Sequence, residues 1–240
     1  MWGTLLLDPP SSDDRYRRRR LDDFEEILGA ARLGVSRRAL EAGYVASGAY
    51  LGRVWRDHRD VPVDKHVSAI LAAAGPELPR KVAPTVMAEL VEAYGRPALL
   101  VPPAVDPGAR GALEALAARG YTLAVVSNTM RTPGAVLRKL LQRYGLLGFL
   151  EHTTFSDEVG VRKPAPEIFA LSLRAVGGDP VTAVHVGDDA VLDVEGARSA
   201  GMRAIHVRTP SGRLPAGCEA DAVIPAIKDL PSAVARLDVV

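Results

Sequence analysis

Two kinds of hydrophobic pattern divide the chain into two regions. Across residues 22–94 apolar side chains recur three and four positions apart, as Phe24, Ile27 and Leu28 do, and no alternating stretch interrupts them. From residue 106 onward, short apolar runs that are typical of buried strands alternate with amphipathic helical stretches. The pattern therefore predicts an all-helical region followed by an α/β region.

The second region has the element order of a parallel sheet. Strands are predicted at residues 121–126, 152–155, 181–186, 203–207 and 221–224, and helices at residues 107–119, 133–144, 166–176 and 228–237, with one more that closes at Gly201. Because strands that alternate with helices form parallel sheets covered on both faces, this order predicts a doubly wound α/β sheet.

The helical region is predicted to be a domain of its own, inserted into the α/β domain. Ser36 is a suitable N-cap for one helix, and further helices are expected at residues 64–74 and 81–93. Proline and glycine at residues 95–103 indicate a linker. The predicted boundaries are residues 1–10 and 98–240 for the α/β core and residues 11–97 for the all-helical domain.

Composition excludes several classes of protein. The 240 residues carry a formal net charge of +1, which gives no reason to expect nucleic acid or an anionic membrane as a partner. Cys218 is the single cysteine, so no internal disulfide and no cysteine-based zinc site can form. No apolar run has the length of a membrane span, and the N-terminus lacks the features of a signal peptide. A cytoplasmic location is therefore expected.

Polar residues follow three of the predicted strands. Ser127 and Asn128 come after the strand at 121–126, Lys163 follows the short strand near Phe155, and Asp188 and Asp189 follow the strand at 181–186. In a doubly wound sheet these strand ends converge on one crevice, where such folds bind ligands. The sequence therefore predicts a single site at this edge.

Each residue type has a chemical use at such a site. The Ser127 hydroxyl can donate a hydrogen bond, and the backbone N–H groups after it can bind an anion. Lys163 can reach a phosphoryl oxygen and pair with a carboxylate. Carboxylates such as Asp188 repel their neighbours unless a cation lies among them, and their oxygens suit Mg²⁺. Asp193 could orient Lys163 or a metal-bound water.

Simpler interpretations stay open for each of these residues. Asp188 or Asp189 could be the N-cap of the helix that follows. Ser127 and Asn128 could cap or form a turn, and Lys163 could be a solvated loop lysine. The agreement of three strand ends favours the site over the separate structural roles.

The helical region contributes fewer signals. The arginines of residues 11–20 indicate a solvated face, or alternatively an electropositive rim that attracts a phosphorylated or carboxylated substrate. The aromatic residues Tyr44, Tyr50 and Trp55 are expected in the helical core rather than in a ligand site. The two histidines of the region, at positions 58 and 66, are expected to be structural or exposed rather than catalytic.

Together these motifs resemble those of the haloacid dehalogenase-like (HAD) hydrolases. Ser127 after a buried strand, Lys163 before Pro164, and Gly187-Asp with Asp193 five residues after that aspartate resemble the family's second, third and fourth motifs, and the run from 155 to 169 is especially characteristic. The resemblance implies a Rossmann-like core, a helical cap of the C1 type, Mg²⁺ as the cofactor, and a reaction that forms an aspartyl-phosphate.

The resemblance also assigns roles. It implies catalytic roles for Thr4, Ser127, Asn128, Lys163 and Asp193, and metal binding by Asp188 and Asp189. Most members are phosphatases, so the expected substrate is a small phosphorylated metabolite, and no nucleic acid or membrane is expected as a partner. The oligomeric state stays open, a homodimer included.

The family's first motif is represented only by its tail. Thr4 matches the motif threonine, Trp2 lies where the second aspartate belongs, and the nucleophilic aspartate would lie before Met1. We hypothesise that the printed start is internal and that an apolar strand ending in Asp-x precedes it. In the family this strand lies between those at 122–126 and 182–186. Without that carboxylate, the 240 residues should not turn over substrate by the family's mechanism.

Two other functions stay open. Family dehalogenases carry an aromatic residue where Trp2 lies, which makes a 2-haloacid dehalogenase an alternative that needs no metal. The acidic fourth motif favours the phosphatase, because unpaired carboxylates are costly at a site without a cation. The second alternative is a binding protein that keeps the HAD fold without chemistry.

Overall fold

The structure is a computed structural model that describes residues 1–7, 12–208 and 218–238. After β1 (Leu6–Leu7), a helical segment comprises α1 (Ser12–Ala30), α2 (Arg37–Arg56), α3 (Val63–Ala74), α4 (Leu78–Lys81), α5 (Pro84–Gly95) and α6 (Pro97–Leu100). None of the helices in the described ranges combines the length and the apolar composition that crossing a bilayer requires.

The helical segment has a hydrophobic core of its own. The core includes Phe24, Leu40 and Tyr94, which are fully or almost fully buried. Burying each such side chain stabilises the fold by about 1.5–3 kcal/mol. The Ser36 side chain accepts a hydrogen bond from the N–H of Ala39, which is the N-cap interaction that the sequence predicts.

The remaining elements form the α/β part of the molecule. They are β2 (Ala104–Val105), α7 (Ala109–Ala118), β3 (Ala124–Ser127), α8 (Gly134–Arg143), β4 (His152–Phe155), α9 (Ser156–Val159), α10 (Pro166–Val176), β5 (Val184–Gly187), α11 (Gly196–Ser199), β6 (Arg203–Val207), β7 (Ala222–Ile224) and α12 (Leu230–Leu237). Strands and helices alternate along the chain, and β3 to β7 pair in parallel. The predicted α/β fold with an inserted helical region is confirmed.

The described sheet is interrupted between β3 and β5, which is where the family resemblance places the strand of the first motif. β3 pairs with β4, and β5, β6 and β7 pair in that order, but the described strands β3 and β5 share no ladder. A cavity of about 250 Å³ separates them, lined by Val125 and Val126 on one side and by Val184 and Val186 on the other. We call this cavity the slot. The predicted strands at 121–126 and 181–186 are correspondingly shorter, since their ladder bonds begin at Ala124 and Val184.

One small strand pair was not predicted. β1 and β2 are antiparallel, with Leu6 opposite Val105 and Leu7 opposite Ala104. Two-residue strands contain too few positions to produce an alternating pattern, so the sequence gives no signal for them. The pair fixes the turn at residues 1–5 against the α/β core, at one end of the slot.

Candidate active site

The end of β3 holds the loop that carries Lys163. The Asn128 side chain donates to the Lys163 carbonyl oxygen at 2.9 Å and accepts from the Lys163 N–H at 2.7 Å. Ser127 is buried, and its hydroxyl donates to the Asn128 carbonyl oxygen at 3.3 Å. The structure therefore brings these three predicted residues together, with Asn128 positioning the backbone of the lysine.

A buried cluster of Lys163, His185 and Asp193 lies at the end of β5. The Asp193 Oδ1 atom is 2.5 Å from Lys163 Nζ and 2.8 Å from His185 Nε2, and its Oδ2 accepts from the Asp189 N–H at 3.0 Å. Burial alone would raise the pKa of Asp193, but Lys163 and His185 outweigh it and hold this pKa well below its usual value. Asp193 is therefore ionised at neutral pH and balances the charge of Lys163.

His185 is a site residue that the sequence did not single out. It lies within β5, and its ring packs edge-to-face on Phe169 with centroids 5.0 Å apart. Burial lowers the pKa of His185, although Asp193 acts in the opposite direction. Its position two residues before Gly187 on a strand was the available signal, because such a residue shares a face with the glycine.

Gly187 allows the close approach of Asp193. A Cβ atom at this position would collide with the Asp193 side chain. The glycine between the strand and the carboxylates is therefore required sterically.

Asp188 lies against the turn that begins the chain. The Thr4 hydroxyl donates to Asp188 Oδ1 at 2.8 Å, and Thr4 is buried. Gly3 has φ +82°, and a Cβ atom there would collide with the Asp188 carboxylate. The structure thus brings the predicted residues Thr4 and Asp188 into direct contact.

Asp189 has a different position from its neighbour. It is exposed, and its Oδ1 atom accepts from the N–H groups of Val191 and Leu192, at the start of the helical turn Ala190–Glu195. This is the N-cap arrangement that the simpler interpretation of the acidic pair describes. Metal binding by Asp189 stays a prediction.

The residues present fit Mg²⁺ only in part. Within the described ranges, no group of three or more histidine, cysteine or acidic side chains could hold a metal ion. The Asp193 carboxylate is occupied by Lys163 and His185, so Asp188 is the carboxylate best placed to bind a cation. Mg²⁺ commonly takes one or two carboxylates and completes its shell with water and substrate oxygens, which Asp188 alone could begin but not complete.

A cleft of about 440 Å³ lies between the helical segment and the α/β core. Its lining includes Trp2, Tyr44, Trp55 and Asn128. Tyr44 belongs to the helical core, as expected, but its ring and that of Trp55 also face this space, which the sequence did not indicate. The cleft therefore borders the end of β3, where Ser127 and Asn128 lie.

The prediction of a solvated face for residues 11–20 is wrong for part of the run. Arg20 is only 3% exposed and lines the cleft with Arg17, while Arg15 and Arg18 are exposed. Residues 12–20 of the run form the first half of α1, so the arginine side chains point in different directions around the helix. Residue 11 lies outside the described residues. The two histidines of the region are also separated, since His66 is buried beside Tyr94 and His58 is exposed.

Asp60 is another residue that sequence reasoning missed. Its buried carboxylate accepts hydrogen bonds from Arg162 at 2.9 Å, from Ser156 at 2.5 Å and from the Trp55 indole at 3.0 Å. Asp60 follows α2 in the helical segment, whereas Arg162 directly precedes Lys163. The carboxylate therefore joins the helical segment to the loop of the candidate site.

Comparison with known proteins identifies the family. A family model for haloacid dehalogenase-like hydrolases matches residues 1–201. The chain belongs to this family. The family resemblance inferred from the sequence motifs is thereby confirmed.

Similar curated proteins include several named phosphatases. The chain is 39% identical over 106 residues to haloacid dehalogenase-like hydrolase domain-containing protein 3 of Homo sapiens, covering 43% of this chain and 39% of that protein. It is 37% identical over 99 residues to the glyceraldehyde 3-phosphate phosphatase of Pyrococcus furiosus, covering 41% and 40%. The phosphoserine phosphatase of Thermus thermophilus matches at 37% over 125 residues, covering 52% and 48%. The matched parts span about half or less of these relatives.

Solved structures match over nearly the whole chain. A 2-haloacid dehalogenase from Pseudomonas syringae pv. Tomato superposes with a TM-score of 0.69 at 22% identity, covering 98% of this chain and 95% of that one. A HAD phosphatase from Thermococcus onnurineus gives a TM-score of 0.58 at 25% identity, covering 96% and 93%. The similarity to the dehalogenase, at this identity, shows the fold alone.

Proposed function

We propose that this HAD-family hydrolase is a Mg²⁺-dependent phosphatase for a small phosphorylated metabolite. The observation that carries the proposal is the buried cluster of Lys163, His185 and Asp193 beside Asp188 and Thr4. It supplies a fixed cation next to a carboxylate, a combination that suits a phosphoryl group and its counter-ion. The relatives named as phosphatases support the same choice.

Some residues of the site would stabilise the charge of the phosphoryl group, and others position these residues. Lys163, which is ion-paired with Asp193, would stabilise negative charge on a phosphoryl oxygen. Ser127 would donate its hydroxyl hydrogen to another oxygen, and Asn128 keeps the lysine loop in place. When bound through Asp188, Mg²⁺ would neutralise phosphate charge. The nucleophile of the family's first motif has no counterpart among residues 1–7.

A 2-haloacid dehalogenase is the second candidate. Trp2 lines the cleft at the position where family dehalogenases carry an aromatic residue. Against it stands Asp188, whose carboxylate accepts a hydrogen bond from Thr4, forms no ion pair with a described side chain and would gain from a metal ion. A binding protein without chemistry is the third candidate, and it predicts ligand binding without turnover.

The test compares two proteins. One is the 240-residue chain, and the other is this chain preceded by an apolar strand that ends in Asp-x. Each is given a small phosphomonoester and a 2-haloacid, with Mg²⁺ or with EDTA. We expect phosphate release only from the extended protein and only with Mg²⁺. Halide release that EDTA does not inhibit would instead favour the dehalogenase, and no turnover by either protein would favour the binding protein.

A matched pair of lysine variants controls the assay. Lys163→Met should lower the rate of the extended protein by about 10² or more, because a preorganised charge at the reacting group is removed. Lys65→Met removes an exposed lysine, with a side chain 59% accessible, and should leave the rate unchanged. Equal rates for the two variants would contradict the role of Lys163.

A cytoplasmic location is proposed with this function.

A further inference from the structure

Three guanidinium groups line the cleft without an acidic partner among the described residues. Arg17, Arg20 and Arg131 all border the cleft, and none of them forms an ion pair in the described part of the chain. Neighbouring arginines differ in this respect, since Arg19 pairs with Asp23 at 2.9 Å. Within the described ranges, no ion pair therefore balances the positive charge of these three side chains.

Among the described residues, Arg20 donates hydrogen bonds to neutral oxygen atoms, and its guanidinium lies 4.8 Å from the centroid of the Tyr94 ring. Its Nε donates to the Tyr94 carbonyl oxygen at 2.7 Å, and its terminal nitrogens donate to the Tyr44 hydroxyl at 3.0 Å and to the Arg131 carbonyl oxygen at 2.7 Å. These bonds use three of the five guanidinium N–H donors and fix Arg20 between the helical segment and the α/β core. They do not neutralise its charge.

Arg131 is closer to the open space and is held more loosely. Its guanidinium stacks on the Tyr44 ring, 4.1 Å from the centroid, and donates to Tyr94, Ser47 and the Tyr44 carbonyl at 3.2–3.3 Å. Arg17 also lies over the Tyr44 ring, at 5.7 Å, and is half-buried. Two cations thus share one aromatic ring at the cleft wall.

Such an arrangement favours an anion in the cleft. Partly buried charges without a counter-charge are costly, and neutral acceptors and aromatic faces offset only part of that cost. Asp13 and Asp14 also border the cleft, but they are exposed and form no ion pair with these arginines. An anionic ligand group between Arg17 and Arg131 would supply the missing negative charge.

The cleft also connects these arginines to the candidate active site. Asn128 lines the same cavity, which at about 440 Å³ lies within the usual range for a small-molecule site. Resting on the phosphatase function proposed above, we propose that Arg17 and Arg131 form a subsite for a second anionic group of the substrate. The substrate class is then a small phosphomonoester with a carboxylate or a second phosphoryl group at its other end.

Binding measurements test this subsite without requiring turnover. Calorimetry on the 240-residue chain with Mg²⁺ would compare ethyl phosphate, 2-phosphoglycolate, ethylene bisphosphate and glycolate. 2-Phosphoglycolate and ethylene bisphosphate each have an anionic group at both ends. We expect one of these two ligands to bind about tenfold or more tightly than ethyl phosphate, because charge-assisted hydrogen bonds contribute to its affinity. Preference for the carboxylate ligand or for the bisphosphate would identify the second group.

Variants assign the effect to particular arginines. Arg17→Gln and Arg131→Gln should each remove most of the advantage while leaving the affinity for ethyl phosphate unchanged. Arg18→Gln changes an exposed arginine of the same helix and should have no effect. A circular dichroism melt of each variant checks that it folds, and Arg17, which makes no described hydrogen bond to the core, is the safer test.

The outcomes separate this inference from the proposed function. Equal affinity of the wild type for all three phosphate ligands would overturn the subsite and leave the phosphatase proposal standing. Binding of glycolate by the wild type but not by Arg17→Gln, with no binding of ethyl phosphate, would support the subsite and contradict the phosphatase. Absence of binding by every probe would overturn both.

Discussion

Replacing Asp60 by asparagine removes one buried charge from the junction between the helical segment and the α/β core. The Asp60 side chain is 0% accessible, and that of its partner Arg162 is 7% accessible, with 2.9 Å between the carboxylate and the guanidinium. Arg162 also lies over the Trp55 ring, 4.5 Å from its centroid. The Asp60→Asn substitution would keep the shape of the side chain but leave the guanidinium unpaired.

The size of the effect follows from burial. Breaking a buried ion pair by removing one charge costs about 3–5 kcal/mol, because the other charge stays desolvated. The chain offers an exposed pair with the same spacing, Arg138 and Glu158, also 2.9 Å apart but with both side chains 37% accessible. Neutralising such an exposed pair costs about 0.2–1 kcal/mol. Asp60→Asn should therefore lower the free energy of unfolding several-fold more than Glu158→Gln does.

Urea unfolding followed by circular dichroism measures both free energies of unfolding. A double-mutant cycle with Arg162→Met isolates the pair, and we expect a coupling of roughly 1–3 kcal/mol, because the double variant no longer buries an unpaired charge. If Asp60→Asn lowers the free energy of unfolding by no more than Glu158→Gln does, the ion pair does not hold the two parts of the molecule together.

Three further variants test single features. Gly3→Ala should lower the free energy of unfolding by about 1 kcal/mol or more, since its φ of +82° and the Asp188 carboxylate exclude a Cβ atom, whereas Gly29→Ala, with open space around it, should not. Burial lowers the pKa of His66 to about 4. The contribution of neutral His66 to the free energy of unfolding is full above pH 6.5, and it falls by up to about 3 kcal/mol as the pH drops from there towards 4. The free energy of unfolding measured in urea should therefore depend less on pH in His66→Gln. Ser36→Ala should cost about 1 kcal/mol in the same assay through the lost N-cap, and an unchanged midpoint would contradict the cap's role.

The sequence predicts the elements of this fold better than their connections. Helical and strand periods identify the long helices and the five parallel strands, because burial of one face imposes those periods. The slot between β3 and β5 leaves no trace in these periods, since both strands remain apolar whether or not they share a ladder. Pairing depends on which strands lie next to each other, and local patterns do not contain that information.

In the candidate site, too, some residues could be predicted from local sequence patterns and others could not. Ser127, Asn128 and Lys163 could be proposed as candidates because each follows a strand, and the ends of parallel strands meet at one edge. Asp193 could be proposed from its position five residues after Asp188. His185 and Asp60 could not be predicted in the same way. His185 belongs to the strand itself, and Asp60 is distant in sequence from its partner Arg162 and contacts it only through tertiary packing.

The three acidic residues near the end of β5 differ in how far the protein itself engages their carboxylates. Asp193 is ion-paired with Lys163 and hydrogen-bonded to His185, and Asp189 caps a helical turn, whereas Asp188 accepts a hydrogen bond from the neutral Thr4 hydroxyl. A single carboxylate binds Mg²⁺ weakly, and substrate oxygens commonly complete the shell. We therefore expect Mg²⁺ to bind several-fold more tightly when ethyl phosphate is present.

Calorimetric titration of Mg²⁺ with and without ethyl phosphate measures that coupling. By linkage, Mg²⁺ should raise the affinity for ethyl phosphate by the same factor. Asp188→Asn should abolish Mg²⁺ binding, because an amide oxygen is a weaker ligand for a hard cation than a carboxylate. Asp189→Asn should preserve Mg²⁺ binding and also the N-cap, because the asparagine Oδ1 accepts the same two backbone hydrogen bonds. An equal loss of Mg²⁺ affinity in both variants would indicate that Asp189 also binds the metal ion. Its capping hydrogen bonds would then have to break when the ion binds.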